Sequence, residues 1–143
     1  MNIKIIVVGK IKEKIFQERI YEYIKWIRQD ARIEIIFLKD SNTKKLDQKL
    51  SSYISSKIHT ICVSEEGSQF SSKQFSKLIF ETTRNLIFFI GGPDGHPEFV
   101  RKETNSILSL SKMTLPHEMA LLVLTEQIFR AISIQKGSKY HRE

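Results

Sequence analysis

Leu86-Ile87-Phe88-Phe89-Ile90-Gly91-Gly92-Pro93-Asp94-Gly95 joins five apolar residues without alternation to a glycine-rich turn. An unbroken apolar run of this length reads as a strand buried on both faces, the kind found in a parallel sheet covered by helices. In open α/β sheets, ligands sit beyond the carboxyl ends of such strands. Glycine there lets the backbone approach a ligand closely. Gly-Gly-Pro-Asp-Gly is equally good turn chemistry, so the loop marks a site only in company with other signals. It matches neither the dinucleotide fingerprint nor the P-loop, because no Gly-x-x-x-x-Gly-Lys-Ser/Thr occurs.

Working outward, the same alternation of strand and helix patterns covers the chain. Ile3 to Val8 is a second continuous apolar strand, ended by Gly9. Phe16, Ile20, Tyr23, Ile24 and Ile27 recur at helical spacing between polar residues. Ile33 to Leu38 and His59 to Val63 read as further strands, with Leu46, Leu50, Tyr53 and Ile54 on a helix between them. Ser71 or Ser72 is placed to cap a helix that turns Phe75, Leu78 and Ile79 inward. Pro97 can open a short helix, Ile107 to Leu110 forms a short last strand, and Thr114 caps a final helix with Pro116 in its first turn. The pattern predicts a single α/β unit over residues 1–143: an α/β/α sandwich with a mainly parallel sheet. No repeat or linker divides it.

Composition narrows the classes of function. No apolar run is long enough to span a bilayer. Met1-Asn2-Ile3-Lys4 leads straight into a strand pattern rather than a signal-peptide layout, so a cytoplasmic location is expected. Cys62 is the one cysteine and lies in an apolar run; with four scattered histidines it offers no metal-ligand spacing. The formal charge is +7 and uneven: residues 1–58 carry 13 Lys or Arg against 7 Asp or Glu, residues 59–143 only 10 against 9. A basic excess suits a polyanion such as RNA through counterion release, and is also what any Lys-rich proteome produces.

Three further segments carry candidate chemistry. Leu108-Ser109-Leu110-Ser111-Lys112-Met113-Thr114-Leu115-Pro116-His117 leads into a helix N-terminus, where free N–H groups and small hydroxyls are available. Met119 to Leu124 is apolar on every side of its helix and asks for partners all round, one of which a second subunit could supply. Glu126, Gln127 and Arg130 share a helix face, as an ordinary i,i+4 ion pair would. Lys136 to Glu143 packs cations, a ring and an imidazole into a tail suited to phosphates and unpaired bases.

In this order, Gly-Gly-Pro-Asp-Gly, Leu-Ser-Leu-Ser-x-Met-Thr-Leu-Pro-His, Glu-Gln-x-x-Arg-Ala and the closing Tyr140-His141-Arg142-Glu143 resemble the small SPOUT-class ribosomal RNA methyltransferases. In particular, they are similar to the bacterial enzymes that methylate N3 of a pseudouridine in 23S rRNA. The resemblance runs along essentially the whole chain and is most specific in its C-terminal half. It implies a trefoil knot near the C-terminus, S-adenosylmethionine as cofactor, a homodimer, and the assembled ribosome as substrate, with no metal and no membrane. It places the cofactor on Val63, on Gly91, Gly92, Pro93 and Gly95, and on Leu110, Ser111, Lys112, Met113, Thr114 and Leu115. It places catalysis on His141 as first choice for the base, with Tyr140 positioning the target, Arg130 and Arg142 holding negative charge, Glu126 orienting Arg130, and His117 ordering the knot. Where the family usually shows Leu-Asp-x-x-Gly-Lys, this chain has Val63-Ser64-Glu65-Glu66-Gly67-Ser68, and His96 stands where an apolar residue is common. A knotted methyltransferase acting on tRNA, or a non-catalytic RNA- or ribosome-binding protein of the same fold, are the competing readings.

Overall fold

The computed structural model describes residues 1–82 and 85–142; the terminal Glu143 of the closing motif lies outside them. Among the described residues, strands and helices alternate throughout: β1 (Asn2–Val8), α1 (Lys14–Ile27), β2 (Arg32–Leu38), α2 (Thr43–Ser52), β3 (His59–Gln69), α3 (Ser72–Glu81), β4 (Asn85–Ile90), α4 (Glu98–Glu103), β5 (Ser106–Ser109) and α5 (His117–Lys136). The sheet runs β2-β1-β4-β3-β5, and all its pairings are parallel.

The period of two along each strand sorts the core into two layers. Ile3, Ile5 and Val7 of β1 and Leu86, Phe88 and Ile90 of β4 pack with buried residues of α1, α3 and α5. Ile6 and Val8, with Ile87 and Phe89, face the other way, onto Leu50 of α2 and Val100 of α4. The expected α/β/α sandwich is therefore present, and its central strands are apolar without alternation because helices cover both faces. Cys62 is fully buried in the second layer, and burial pushes its thiol up to about 12, so it serves as a small apolar residue.

Local signals set most boundaries. Ser71 caps α3 in a reciprocal box with Gln74, and Asn42 caps α2 by accepting from Lys45 N–H. At Glu13 the side chain makes no cap; Glu118 of α5 reaches across instead and accepts from the N–H groups of Lys12 and Glu13. The carboxylate also suits the positive end of α1.

Three expectations need correction. β3 extends to Gln69 rather than stopping at Val63: its pairing with β5 breaks between Val63 and Ser68 and then resumes. Gly67 permits this, since a Cβ there would lie 2.4 Å from the carbonyl oxygen of Ile107. The final helix starts at His117, so Thr114 is no cap and Pro116 precedes the helix with ψ 151°. The residue before proline avoids the helical region, which keeps Thr114 and Leu115 in the loop. The short last strand is Ser106–Ser109 rather than one reaching Leu110. As for the apolar Met119–Leu124 stretch, α5 lies against both α1 and α3, with Ala120, Leu121 and Leu124 buried and Met119, Leu122 and Val123 half-buried.

Candidate active site

The parallel sheet delivers three loops to one edge. The interrupted stretch of β3 after Val63, the turn after β4 and the segment between β5 and α5 enclose a cavity of about 350 Å³, within the range of small-molecule sites. Its walls include Val63, Gly91, Gly92, Pro93, Gly95, Leu110, Ser111, Met113, Thr114 and Leu115; Lys112 is exposed and does not line it. The turn after β4 is tight: Gly95 N–H donates to Gly92 O at 2.9 Å, with Gly95 at φ 74°. At Gly92 a Cβ would come within 3.0 Å of Val8 Cγ1, so a side chain there would press on β1. In the third loop Ser111 accepts from Met113 N–H with its hydroxyl and from the Ser109 hydroxyl with its carbonyl.

Several wall residues escape sequence reasoning. His96 Nε2 lies 2.7 Å from Val63 O. A carbonyl only accepts, so this nitrogen donates, and the ring ties the first cavity loop to the second. Burial, ahead of the opposing effect of that hydrogen bond, holds the His96 imidazole below its ordinary value. Glu65 and Glu66 bring two carboxylates to the wall, and Arg101 of α4 pairs with Glu66 at 3.6 Å. With Arg101 offsetting Glu66, Glu65 is the carboxylate left to complement a cationic guest where the usual Asp and Lys are replaced by Ser64 and Ser68. His117 also lines the cavity, but its Nε2–H is spent on Lys10 O at 2.7 Å. That bond, with the Glu118 contacts, fastens the loop between β1 and α1 to the start of α5.

The C-terminal residues form a second cluster. Gly137, at φ 71°, ends α5 and lets the tail turn back over it. Tyr140 O–H donates to Glu126 Oε1 at 3.1 Å, packs edge-on to Phe129 at 4.7 Å between ring centroids, and lies beneath the Arg130 guanidinium. Arg130 donates to Glu126 Oε1 from Nε (2.9 Å) and Nη2 (2.6 Å) and to His141 Nδ1 from Nη1 (3.1 Å). Burial first, then hydrogen bonding to Tyr23 and the Glu126 charge, raises the Tyr140 phenol above its ordinary value. Arg142 is exposed at the end of the cluster.

The sequence-predicted catalytic residues thus divide. Glu126, Arg130, Tyr140 and His141 come together, whereas His117 sits at the cavity. His117 and Arg130 are separated by roughly 20 Å along α5 at about 1.5 Å per residue. None of the tail cluster lines the cavity of its own chain.

Comparison with known proteins matches residues 1–141 to the family described as "Predicted SPOUT methyltransferase". The ribosomal RNA large subunit methyltransferase H of Streptococcus sanguinis (strain SK36) is 37% identical over 159 aligned residues, covering 99% of this chain and 100% of that protein. Its namesakes from Streptococcus uberis and Latilactobacillus sakei subsp. sakei are 39% and 38% identical with the same coverage. Among solved structures, a probable methylase family protein from Haemophilus influenzae Rd KW20 has a TM-score of 0.58 at 12% identity, covering 99% of this chain and 71% of the other. The SpoU methyltransferase AviRb from Streptomyces viridochromogenes gives 0.53 at 11%, covering 96% and 61%. At these identities the solved structures speak for the fold.

Proposed function

Because the chain belongs to the SPOUT methyltransferase family, we propose that it is an enzyme that methylates N3 of a pseudouridine in 23S rRNA on the assembled ribosome, using S-adenosylmethionine. The observation that carries this reading is the three-loop cavity at the carboxyl edge of the sheet, joined to a family match over residues 1–141. The cavity residues fit the cofactor: a backbone-rich turn at Gly91–Gly95 for a flat ring, hydroxyls at Ser111 and Thr114, and Glu65 for positive charge. When bound there, it supplies a methyl group on a positively charged sulfur.

The chain's own residues do the rest by placement. The loop between β5 and α5, threaded as the knot the family resemblance implies, closes the cavity from one side. His117 and Glu118 hold the β1–α1 loop at its rim. Tyr140, His141 and Arg142 present the target base, steadied by Arg130 and Glu126. Since the tail cluster lies away from the cavity of its own chain, it serves the cavity of a second copy in a homodimer. Supporting this, α5 leaves Met119 and Val123 half-buried.

The carboxyl ends of the strands also carry the charge an RNA substrate needs. Lys10 and Lys12 after β1, Lys39 after β2 and Lys112 in the third loop are exposed. Among the described residues, none of these four has its side-chain ammonium in an ion pair, whereas those of Lys77 and Lys102 on the outer helices α3 and α4 are paired. The activity and localisation follow together: a ribosomal substrate places the protein in the cytoplasm.

Subunit mixing tests the reading. Thr114→Arg puts a cation into the cavity and should abolish cofactor binding by calorimetry; His141→Ala should bind cofactor but not turn over. Equilibrated together, the two inactive variants should regain about a quarter of wild-type sites, since half the dimers are mixed and each holds one intact site. No recovery from well-mixed dimers would contradict a site shared between chains.

A further inference from the structure

The cavity walls differ in character from segment to segment. Apart from the exposed Asp94, the turn after β4 and the stretch Leu110 to Leu115 offer backbone, small hydroxyls and apolar side chains. The interrupted part of β3 and α4 bring charge instead, as Glu65, Glu66 and Arg101. Among the described residues of the wall, Arg101 is the one Lys or Arg. His96 adds no second cation, because burial first, and also the nearby Arg101 charge, lower its pKa. Local structure holds these side chains in place. The Ser64 hydroxyl accepts from Glu66 N–H at 3.3 Å, inside the break in pairing between Val63 and Ser68. Val100 is fully buried in the second layer and accepts from the Thr104 hydroxyl at 2.8 Å, which anchors α4 on both sides of Arg101. The Arg101–Glu66 contact itself is loose. Nη1 and Oε1 lie 3.6 Å apart, beyond hydrogen-bond range, and the two side chains are 37% and 58% exposed. Pairs of this kind contribute little to stability. A guanidinium carries five donors in a fork that matches a carboxylate with two parallel hydrogen bonds. Glu66 leaves that capacity unused.

We propose that Arg101 is the residue that selects the amino-acid end of the cofactor: its guanidinium takes the α-carboxylate in place of Glu66, while Glu65 takes the α-ammonium. The proposal rests on the methyltransferase reading above and deepens it. The match is one of charge. S-Adenosylmethionine ends in a carboxylate and an ammonium on one carbon, and both charges need partners when they leave water. Within the described wall only Arg101 offers the carboxylate a permanent cation. Glu65 is in no ion pair among the described residues, so it is free to meet the ammonium. Glu66 acts as a placeholder that keeps the guanidinium turned to the cavity until a carboxylate seated on the fork replaces it. The exchange swaps one carboxylate for another on the same cation, so Arg101 is never left without one. No covalent bond changes. Nucleoside thioethers that share the ring and the sulfur but lack the amino acid gain nothing from this end, and the site discriminates against them.

Calorimetric titration of the full-length protein with three probes tests this without turnover. The probes are S-adenosylhomocysteine, its decarboxylated analogue, and 5′-methylthioadenosine, which has neither charged group. Arg101→Met keeps the aliphatic stem and removes the fork. It should weaken S-adenosylhomocysteine about tenfold, as the loss of a hydrogen-bonded charge does, and leave the other two probes no weaker. Arg101→Lys, with the charge but not the fork, should recover part of that loss. Glu66→Gln removes the competing carboxylate and should bind S-adenosylhomocysteine at least as tightly as wild type. Glu65→Gln should weaken both probes that carry the ammonium and spare methylthioadenosine. Methylthioadenosine also reports whether each variant still forms the cavity. An Arg101→Met that left S-adenosylhomocysteine unchanged, or weakened all three probes alike, would overturn the proposal while the cofactor reading stood. So would a loss of S-adenosylhomocysteine binding in Glu66→Gln, which would make the ion pair itself a part of the wall. A wild type that bound none of the three would bring down the methyltransferase reading, and this proposal with it.

Discussion

His96 shows how one residue can tie the site to the stability of the fold. Its ring bridges two cavity loops through Val63 O, and burial keeps it neutral by lowering its pKa from 6.5. A lowered folded pKa means the unfolded chain takes up the proton first. Stability is therefore full above pH 6.5 and falls as pH drops towards the folded value. Thermal unfolding should show a lower Tm at about pH 5 than at about pH 7. His96→Gln, which can still donate to Val63 O, should shrink that difference, with a remainder from His59, also lowered by burial. An unchanged difference would place the acid sensitivity elsewhere. His96→Ala should weaken cofactor binding about fivefold by calorimetry, the worth of about 1 kcal/mol for one hydrogen bond. At this scale the glycine turn and the tail were legible in the sequence, because residue type alone carries their chemistry. Arg101 was not: it reaches Glu66 only because the sheet order sets β3 beside both β4 and β5.

Among the elements, β3 and α5 decide the shape of the cavity. The apolar run of β3 ends at Val63, and polar Ser64–Gln69 carries no strand pattern, so the extension was invisible to periodicity. Pairing with β5 continues it, and a close approach at Gly67 makes that possible. Gly67→Ala would drive a Cβ into Ile107 backbone and should cost about 1–3 kcal/mol in denaturant unfolding, with cofactor affinity lost in parallel. Unaltered stability would mean that the two strands are free to separate. At α5 the sequence pointed to Thr114 as a cap, and the conformational demand of Pro116 on Leu115 overrode it. Pro116→Ala lifts that demand and lets the helix grow backwards, drawing Leu115 and Thr114 out of the cavity wall. Cofactor affinity should fall while Tm holds or rises; a fall in both would show that the proline supports the fold itself.

Across the whole molecule, the sheet gathers the cavity-forming segments at one edge, places exposed lysines at the same strand ends, and sends the tail back along α5, away from the cavity. The layered fold was legible, since unbroken apolar strands between amphipathic helices permit few other arrangements. The separation of tail and cavity was not, because no local pattern states how far a helix carries its C-terminal residues from its N-terminal ones. The lysine rim predicts a marked salt dependence. Each of Lys10→Ala, Lys12→Ala, Lys39→Ala and Lys112→Ala that removes a phosphate contact should flatten the plot of log kcat/KM against log salt by about 0.7–0.9. Lys77→Ala, on an ion-paired outer helix, should leave the slope alone. The proposed activity of this chain is methylation of N3 of a pseudouridine in large-subunit rRNA. Its most direct test incubates the protein with methyl-labelled S-adenosylmethionine and ribosomes from a strain lacking the gene, with naked rRNA and tRNA in parallel. Label should appear in 23S rRNA, mapped to N3 of a pseudouridine and strongest on whole ribosomes. Label confined to tRNA, or none at all from protein that binds neither cofactor nor ribosome, would contradict it.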